Sequence, residues 1–396
     1  MILAILSHGV TFPLSNHRST EFVQRLRRFS DHFEKIYIIT HEFSHGFLQS
    51  HQRDDKSKNI ILIKTQAGLI KGQIAISKIL QRIAPDVIYS DTLSDANIAF
   101  LYLLTSKTPL VTTMRGWDSD VLTQELALHG QNWLAIPVRL LWPLRDLLVF
   151  KRSSKVLTVT KGLARYAEKL IGRNARSRVE TVFRSMQYCR EIPESTREHA
   201  EELKRKIQTQ YSDESKLLVT VARLSPGKRI DIAIDALNLI REDHPSAHLI
   251  IVGDGIERNR LEQQVKRMSI SEHVTFLGRV PRDMVLAIHE ISDAMLFPSV
   301  SEGFAKAPHE ALIIESPVIC HNFPGAAGLG FDEACIMIDS LNPTEYAEAI
   351  RQLFDSSKLR EKLIRNGRLL TRKYLKWSNN ERVDFIANIL KSAANA

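Results

Sequence analysis

Short, mainly apolar runs alternate along the chain with stretches in which apolar residues recur every three or four positions. In the first half, Ile2–Ser7, Lys35–Thr40, Ile60–Ile63, Asp86–Ser90, Pro109–Met114 and Lys155–Thr160 are runs of the first kind. Between them, Glu21–Phe33 sets Phe22, Leu26, Phe29 and Phe33 at helical spacing, and Ile70–Ile83 and Ser94–Leu104 follow the same pattern. Apolar runs without a polar face suit strands buried on both sides. Their alternation with helices predicts an α/β fold with a parallel, doubly wound sheet. The second half repeats the alternation with unrelated residues: Leu217–Ala222, His248–Val252, Val274–Gly278, Ala294–Phe297 and Val318–Cys320. Residues 190–212 are charged and helical in pattern, with Pro193 near their start, and read as the connection between two domains. The stretch from Tyr374 onward reads as an amphipathic helix.

The most informative segment is Ala294–Val318. A strand ends at Pro298 and Ser299, a turn follows through Gly303, a helix carries Ala311 and Leu312, and a second strand starts after Ser316 and Pro317. The loop of such a unit lies at the carboxyl end of a parallel strand, where open α/β sheets bind ligands. Two carboxylates mark it, Glu302 in the loop and Glu310 in the helix. With the helix starting near Ala305, Glu310 lies about 8 Å further along the axis, at about 1.5 Å per residue. That separation suits two sets of hydroxyls with a phosphate between them at the helix amino terminus. The residues alone equally allow a helix-start acid at 302 and a solvated side chain at 310. Gly303 would permit close backbone approach, and Pro308 requires the regular helix to begin close to it.

Ser301-Glu302-Gly303-Phe304, Glu310-Ala311-Leu312 and Ser316-Pro317-Val318-Ile319 resemble the E-x7-E region of retaining, nucleotide-sugar-dependent glycosyltransferases of the GT-B fold, the family called glycosyltransferases group 1. Arg223-Leu224-Ser225-Pro226-Gly227-Lys228 resembles that family's R-L-x-x-x-K motif. Gly253-Asp254-Gly255, Gly278-Arg279-Val280 and Pro324-Gly325 follow in the family's order. The resemblance covers 215–330 and extends through 86–175. It implies two Rossmann-like domains facing a central cleft. An acceptor-side domain would span 1–190 and a nucleotide-sugar domain 191–374, with a helix at 375–396 packing back on the first. It implies that Glu302 contacts the donor sugar and Glu310 the ribose, and that Arg223 and Lys228 oppose the diphosphate. Gly253, Asp254, Arg279, Val280, Gly303, Phe304 and Ala305 would complete the donor site. Two departures stand out. Arg115-Gly116-Trp117-Asp118 replaces the family's His-Gly-x-Asp, so that Arg115 stands where the catalytic histidine is expected. Val182–Met186 replaces an Asn-Gly pair.

Composition narrows the classes. Charged residues at 25% and hydrophobic residues at 44% are those of a globular protein. Cys189, Cys320 and Cys335 are few and dispersed, which points to a reducing, cytoplasmic setting without a disulfide framework or metal cluster. Met1–Ser7 lacks a basic flank and reads as a first strand rather than a leader. No apolar run reaches membrane-spanning length. The net charge is +9. The excess concentrates in 135–190, where basic residues outnumber acidic ones several-fold. Its lack of interleaved aromatic residues and of nucleic-acid motifs argues against nucleic acid as a partner. Trp133–Lys155 combines two tryptophans, many leucines and Arg139, Arg145, Lys151, Arg152 and Lys155, the make-up of an interfacial helix on an anionic membrane surface. Ordinary core helices broken at Pro143 are the competing reading.

The expected activity is metal-independent transfer of a sugar from a nucleotide-diphosphate donor to a hydroxyl of a lipid-linked or glycan acceptor. No cofactor and no metal are called for, because Asp118-Ser119-Asp120 falls on the acceptor side. The alternatives are a sugar-nucleotide epimerase on the same fold and a non-catalytic partner subunit. Ser7-His8-Gly9 reads as a tight turn or a phosphate-facing loop.

Overall fold

The computed structural model describes residues 1–7, 20–43, 48–54, 59–67, 69–116, 144, 146–210, 215–300, 302–323 and 326–396. Several sequence expectations lie outside the described residues: His8, Gly9, Trp117, Asp118, Asp120, Trp133–Pro143, Arg145, Ser301, Pro324 and Gly325. The chain divides into two compact units, Met1–Ser185 with Trp377–Ala396, and Met186–Lys376.

The first unit is built on β1 (Ile2–Leu6), β2 (Lys35–Phe43), β3 (Leu48–Arg53), β4 (Ile60–Ala67), β5 (Val87–Ser90), β6 (Leu110–Met114), β7 (Ser153–Thr158) and β8 (Val179–Thr181). Their order is β3-β4-β2-β1-β5-β6-β7-β8. All neighbours are parallel except β3, which runs antiparallel to β4. The run of Leu3–Leu6 is at most 1% exposed, as a strand covered on both faces must be. The polar strand β3 (LQSHQR) departs from the all-parallel expectation. It has no apolar run to signal it, and pairing with β4 creates it.

The single helix expected over 94–104 is broken into Leu93–Ala96, a 3-10 turn Asn97–Ala99 and Phe100–Thr105. Gln73 explains the break. Its amide nitrogen donates to the Asn97 carbonyl at 2.6 Å, and its amide oxygen accepts from the Leu101 N–H at 3.1 Å. The backbone groups freed by the break therefore keep partners.

The helix at the chain's end starts at Asn379, not at 374 or 375. Ser378 and Glu381 form a reciprocal capping box there. Val383, Ile386, Ala387 and Leu390 are buried with the core of the first unit. Arg28 grips Asp384 through two bonds of 2.7 Å. Tyr374 instead belongs to the other unit and is 1% exposed.

The second unit holds β9 (Leu217–Val221), β10 (His248–Val252), β11 (Val274–Gly278), β12 (Ala294–Phe297), β13 (Val318–His321) and β14 (Ile336–Ile338). The order β11-β10-β9-β12-β13-β14 is wholly parallel. It reads 3-2-1-4-5-6, the doubly wound order whose progression across the sheet reverses between the first and fourth strands. The helix Glu194–Gln210 is part of this unit rather than a free connection. It packs on Arg282–Ile291 through Thr196 to Asp283 and Arg197 to Glu290, each at 3.0 Å.

The proposed membrane segment needs one correction. Arg152 is not a surface cation. Its guanidinium donates to the carbonyls of Leu103 (2.7 Å), Ser106 (2.6 Å) and Thr108 (2.7 Å), stapling the end of one helix to the start of β6. Lys155 likewise donates to the Ser177 carbonyl at 2.9 Å. Arg152→Gln is therefore expected to cost about 3 kcal/mol of stability, since charge-assisted bonds contribute about 1.5–3 kcal/mol each and are not additive. Chemical denaturation measures this, and an unchanged midpoint would refute the staple.

Candidate functional site

The loops that carry the motifs all leave the carboxyl edge of the second sheet. After β9 the chain passes Arg223 and makes a 3-10 turn, Pro226–Lys228. It then enters the helix Ile230–Ile240 through Arg229 in the left-handed region. After β12 it passes Ser299 and Glu302 and enters the helix Lys306–Ile313 through Ala305, also left-handed at φ 50°. These two strands flank the point where the strand order reverses, so both loops open on one crevice of the sheet.

Hydrogen bonds join the loops into a continuous rim. Val300 N–H donates to the Gly227 carbonyl at 3.0 Å, Leu224 N–H to Asp254 at 3.1 Å, and Gly253 N–H to Gly278 at 2.7 Å. Lys228 Nζ bonds Glu302 Oε1 at 2.5 Å across the reversal point, and Ser299 Oγ donates to the same oxygen at 2.8 Å. The side chains of Lys228 and Glu302 are only 22% and 15% exposed. Sequence spacing alone could not reveal that the R-L-x-x-x-K lysine and the loop glutamate form a pair.

The glycines of the Gly253-Asp254-Gly255 turn are required by close approach. Gly253 has φ +130°, and a Cβ there would lie 1.8 Å from the Ala222 carbonyl oxygen. A Cβ on Gly255 would lie 2.2 Å from that of Leu224. Asp254 accepts from the Gly255 N–H at 2.8 Å, with Arg258 4.0 Å away. Arg223 and Arg279 are exposed, and Val280 and Gly303 are partly exposed. The left-handed conformation in this loop falls on the non-glycine Ala305. A non-glycine residue held there carries a small strain.

Glu310 is not a solvated side chain. It is 5% exposed. Tyr188 Oη donates to Glu310 Oε1 at 2.7 Å, and Lys306 Nζ lies 3.4 Å from the same oxygen. Arg282 and Lys306 sit over the Tyr188 ring at 4.4 and 5.0 Å. Burial, and then the Glu310 charge, hold the tyrosine pKa far above its usual range, so its O–H remains a donor. Beneath the helix, His309 stacks on Phe304 at 4.4 Å and meets the edges of Tyr374 and Phe331 at 4.7 and 4.9 Å. Phe304 is 6% exposed. Its ring thus supports the helix, leaving only its backbone to face a ligand. Tyr188→Phe should loosen Glu310 and weaken nucleotide-diphosphate affinity about tenfold, the value of one charge-assisted hydrogen bond. Titration calorimetry reads this, and equal affinities in the two proteins would remove Tyr188 from the site.

Arg115 belongs to the first unit. Its guanidinium pairs with the buried carboxylate of Asp91, at the end of β5. Arg25 pairs with Asp91 at 2.7 Å, and the Tyr89 hydroxyl donates to it at 3.2 Å. Burial pushes this carboxyl up, but the Arg115 and Arg25 charges outweigh burial and hold it at about 2. Sequence reasoning missed Tyr188, Arg282, Asp91 and Arg25. Each meets its partner over tens of residues or more and carries no motif. Among the described residues, no group of three or more His, Cys, Asp or Glu side chains could hold a metal.

Residues 201–370 match the family model described as glycosyl transferases group 1, and residues 18–184 match that of glycosyltransferase family 4. The chain is 28% identical over 168 residues to an uncharacterized glycosyltransferase of Methanocaldococcus jannaschii. That match covers 42% of this chain and 43% of the relative, so it spans less than half the relative's length. It is 33% identical to the O-antigen biosynthesis glycosyltransferase WclY of Escherichia coli, over 35% of this chain and 37% of that one. The crystal structure of Anabaena Alr3699/HepE in complex with UDP-glucose superposes with a TM-score of 0.68 at 16% identity, covering 99% of this chain and 100% of that one. Two models in tandem cover most of both units and the fold agrees along the whole length: the chain belongs to the glycosyltransferases group 1 family and has the GT-B fold of two Rossmann-like domains.

Proposed function

We propose that this protein transfers a sugar from a nucleotide-diphosphate donor to an acceptor hydroxyl, with retention at the anomeric carbon. The observation that carries the reading is the Lys228–Glu302 pair at the reversal point of the second sheet, with the buried Glu310 further along the helix that starts beside it. Glu310 would take the ribose and Glu302 the sugar. Lys228, Arg223 and the free N–H groups of the helix start would oppose the charge growing on the leaving diphosphate. The UDP-glucose bound by the Anabaena protein supports a nucleotide-sugar donor here. The name of the Escherichia coli relative supports a glycan acceptor, and a lipid-linked one is the other form we consider. This chemistry needs no metal, because cationic side chains take the role.

Donor binding by calorimetry tests the reading. Glu310→Gln keeps an oxygen acceptor for Tyr188 but removes the charge. It should cost about 1.5–3 kcal/mol of donor affinity without unfolding the protein. Unchanged affinity across a panel of nucleotide-diphosphate sugars would overturn it, and loss of transfer in EDTA would overturn the metal-free part.

We also retain docking of the first unit on the cytoplasmic face of an anionic membrane. Leu144 and Leu148 are 53% and 43% exposed, and Lys151 follows one turn later. No helix among the described residues is long and apolar enough to cross a membrane, so the contact would be peripheral. Cosedimentation with anionic vesicles at low salt checks it, and protein that stays in the supernatant refutes it.

A further inference from the structure

Three crossovers of the first sheet place their helices in one layer. The strand order carries β4 to β5, β5 to β6 and β6 to β7 in the same direction across the sheet. Right-handed crossovers that progress the same way put their helices on the same face. That layer holds the helices Leu69–Ile83 and Phe100–Thr105 and the helical residues 144 and 146–152. The crossover from β1 to β2 moves the other way, so its helix Thr20–Ser30 lies on the opposite face, bonded to Asn379–Ala394 through Arg28 and Asp384. Bonds tie the layer together. Gln73, beside Ile74, holds the Asn97 carbonyl and the Leu101 N–H. Arg152, beside Lys151, holds the carbonyls of Leu103 and Ser106.

The outer side of this layer is apolar and basic. Nine large apolar side chains are exposed among the described residues, and five of them are here: Ile74 (43%), Leu101 (39%), Leu104 (61%), Leu144 and Leu148. Exposed apolar residues scattered singly need no explanation; a concentration on one layer marks a contact surface. Lys71 and Lys78 lie one turn to either side of Ile74, Lys107 follows Leu104, and Lys151 follows Leu148; all four are exposed. The one acid on these helices, Asp146, is 5% exposed.

Two occupants suit this make-up badly. A second copy would set lysines against lysines across a two-fold axis. Protein partners favour aromatic and arginine anchors and disfavour lysine, whereas the large side chains exposed here are aliphatic and flanked by lysines. Aliphatic side chains that enter the acyl boundary, with lysines at headgroup level, suit an anionic bilayer.

We infer that this three-helix layer is the membrane-contacting face, and that Ile74, Leu101 and Leu104, which lie outside Trp133–Lys155, enter an anionic bilayer between the surrounding lysines. This rests on the docking reading above and moves its seat from one segment to a face assembled from three.

Cosedimentation of the intact protein tests it, with vesicles of equal parts phosphatidylcholine and phosphatidylglycerol against phosphatidylcholine alone. Wild type should partition onto the anionic vesicles more strongly. Leu101→Ser with Leu104→Ser should lower that partitioning at least about tenfold, and Lys71→Glu with Lys78→Glu about as much. All four side chains are exposed, so both variants should keep the wild-type melting profile; the lysine pair decides should the leucine pair fold poorly. Wild-type partitioning in the folded variants would overturn this face and leave docking through Leu144 and Leu148 standing. Failure of wild type to bind anionic vesicles would overturn docking and this face together. A wild-type dimer abolished by Leu101→Ser with Leu104→Ser would give the face to a second copy and overturn the membrane as its occupant.

Discussion

Gly253→Ala is expected to destabilise the protein by at least about 4 kcal/mol, in the range reserved for strain at a special backbone conformation. Two costs combine. The residue sits at φ +130°, which a β-carbon disfavours, and the new atom would meet the Ala222 carbonyl oxygen at 1.8 Å. That oxygen cannot yield as the end of a flexible side chain would. It belongs to a loop tied at both sides, with Ala222 N–H on the Val252 carbonyl and Gly253 N–H on that of Gly278. Relief requires parting the turns after β9, β10 and β11, which together form half of the motif rim. For a unit of this size, about 4 kcal/mol lowers the melting temperature by about 10 °C. A melting temperature within 2 °C of wild type would show that the turn relaxes freely and that the rim is not rigid.

Acid should weaken the second unit well before carboxylates begin to titrate. His248, His289 and His309 are at most 2% exposed, and burial pushes each down to about 4 from an ordinary 6.5. The native state keeps them neutral, while the unfolded chain takes up protons below 6.5. Their contribution is therefore fully present above 6.5 and is lost as pH falls toward 4. Each site contributes on the order of 1–3 kcal/mol over that window, and together they approach the whole stability of a typical domain. His309 matters most for the site, because its protonation would place a charge inside the cage of Phe304, Tyr374 and Phe331 that carries Glu310. In the first unit Asp91, held at about 2, loses its contribution only between 3.8 and 2. Denaturant midpoints measured from pH 7.5 to 4 should fall steadily, and His289→Phe should flatten the slope. A flat profile down to pH 5 would refute this account.

Loss of a single contact is a smaller matter than either of these, and the contacts are also where sequence reasoning stops. The strands of both sheets were legible as apolar runs because a doubly covered parallel strand has no polar face to conceal it. β3 was not legible, since six mostly polar residues become a strand only by pairing with β4. The break at 97–99 was invisible because its cause is Gln73, two dozen residues away. Arg152 read as a membrane-facing cation because composition does not show the three carbonyls it holds.

The sequence by itself determined the fold class, the two-part organisation, the family resemblance and the positions of the motif loops, including Arg223, Lys228, Glu302 and Glu310. These follow from local periodicity and short spacings, which are properties of neighbouring residues. Tertiary structure alone decided the state of those side chains. It paired Lys228 with Glu302 across the reversal of the strand order. It buried Glu310 beneath Tyr188, 122 residues away in sequence. It turned Arg115 from a loop cation into one member of an arginine cluster around Asp91. The physical reason is common to all three. Charge and hydrogen-bond partners are chosen by distance in space, and a parallel sheet brings to one edge the ends of strands that lie far apart along the chain.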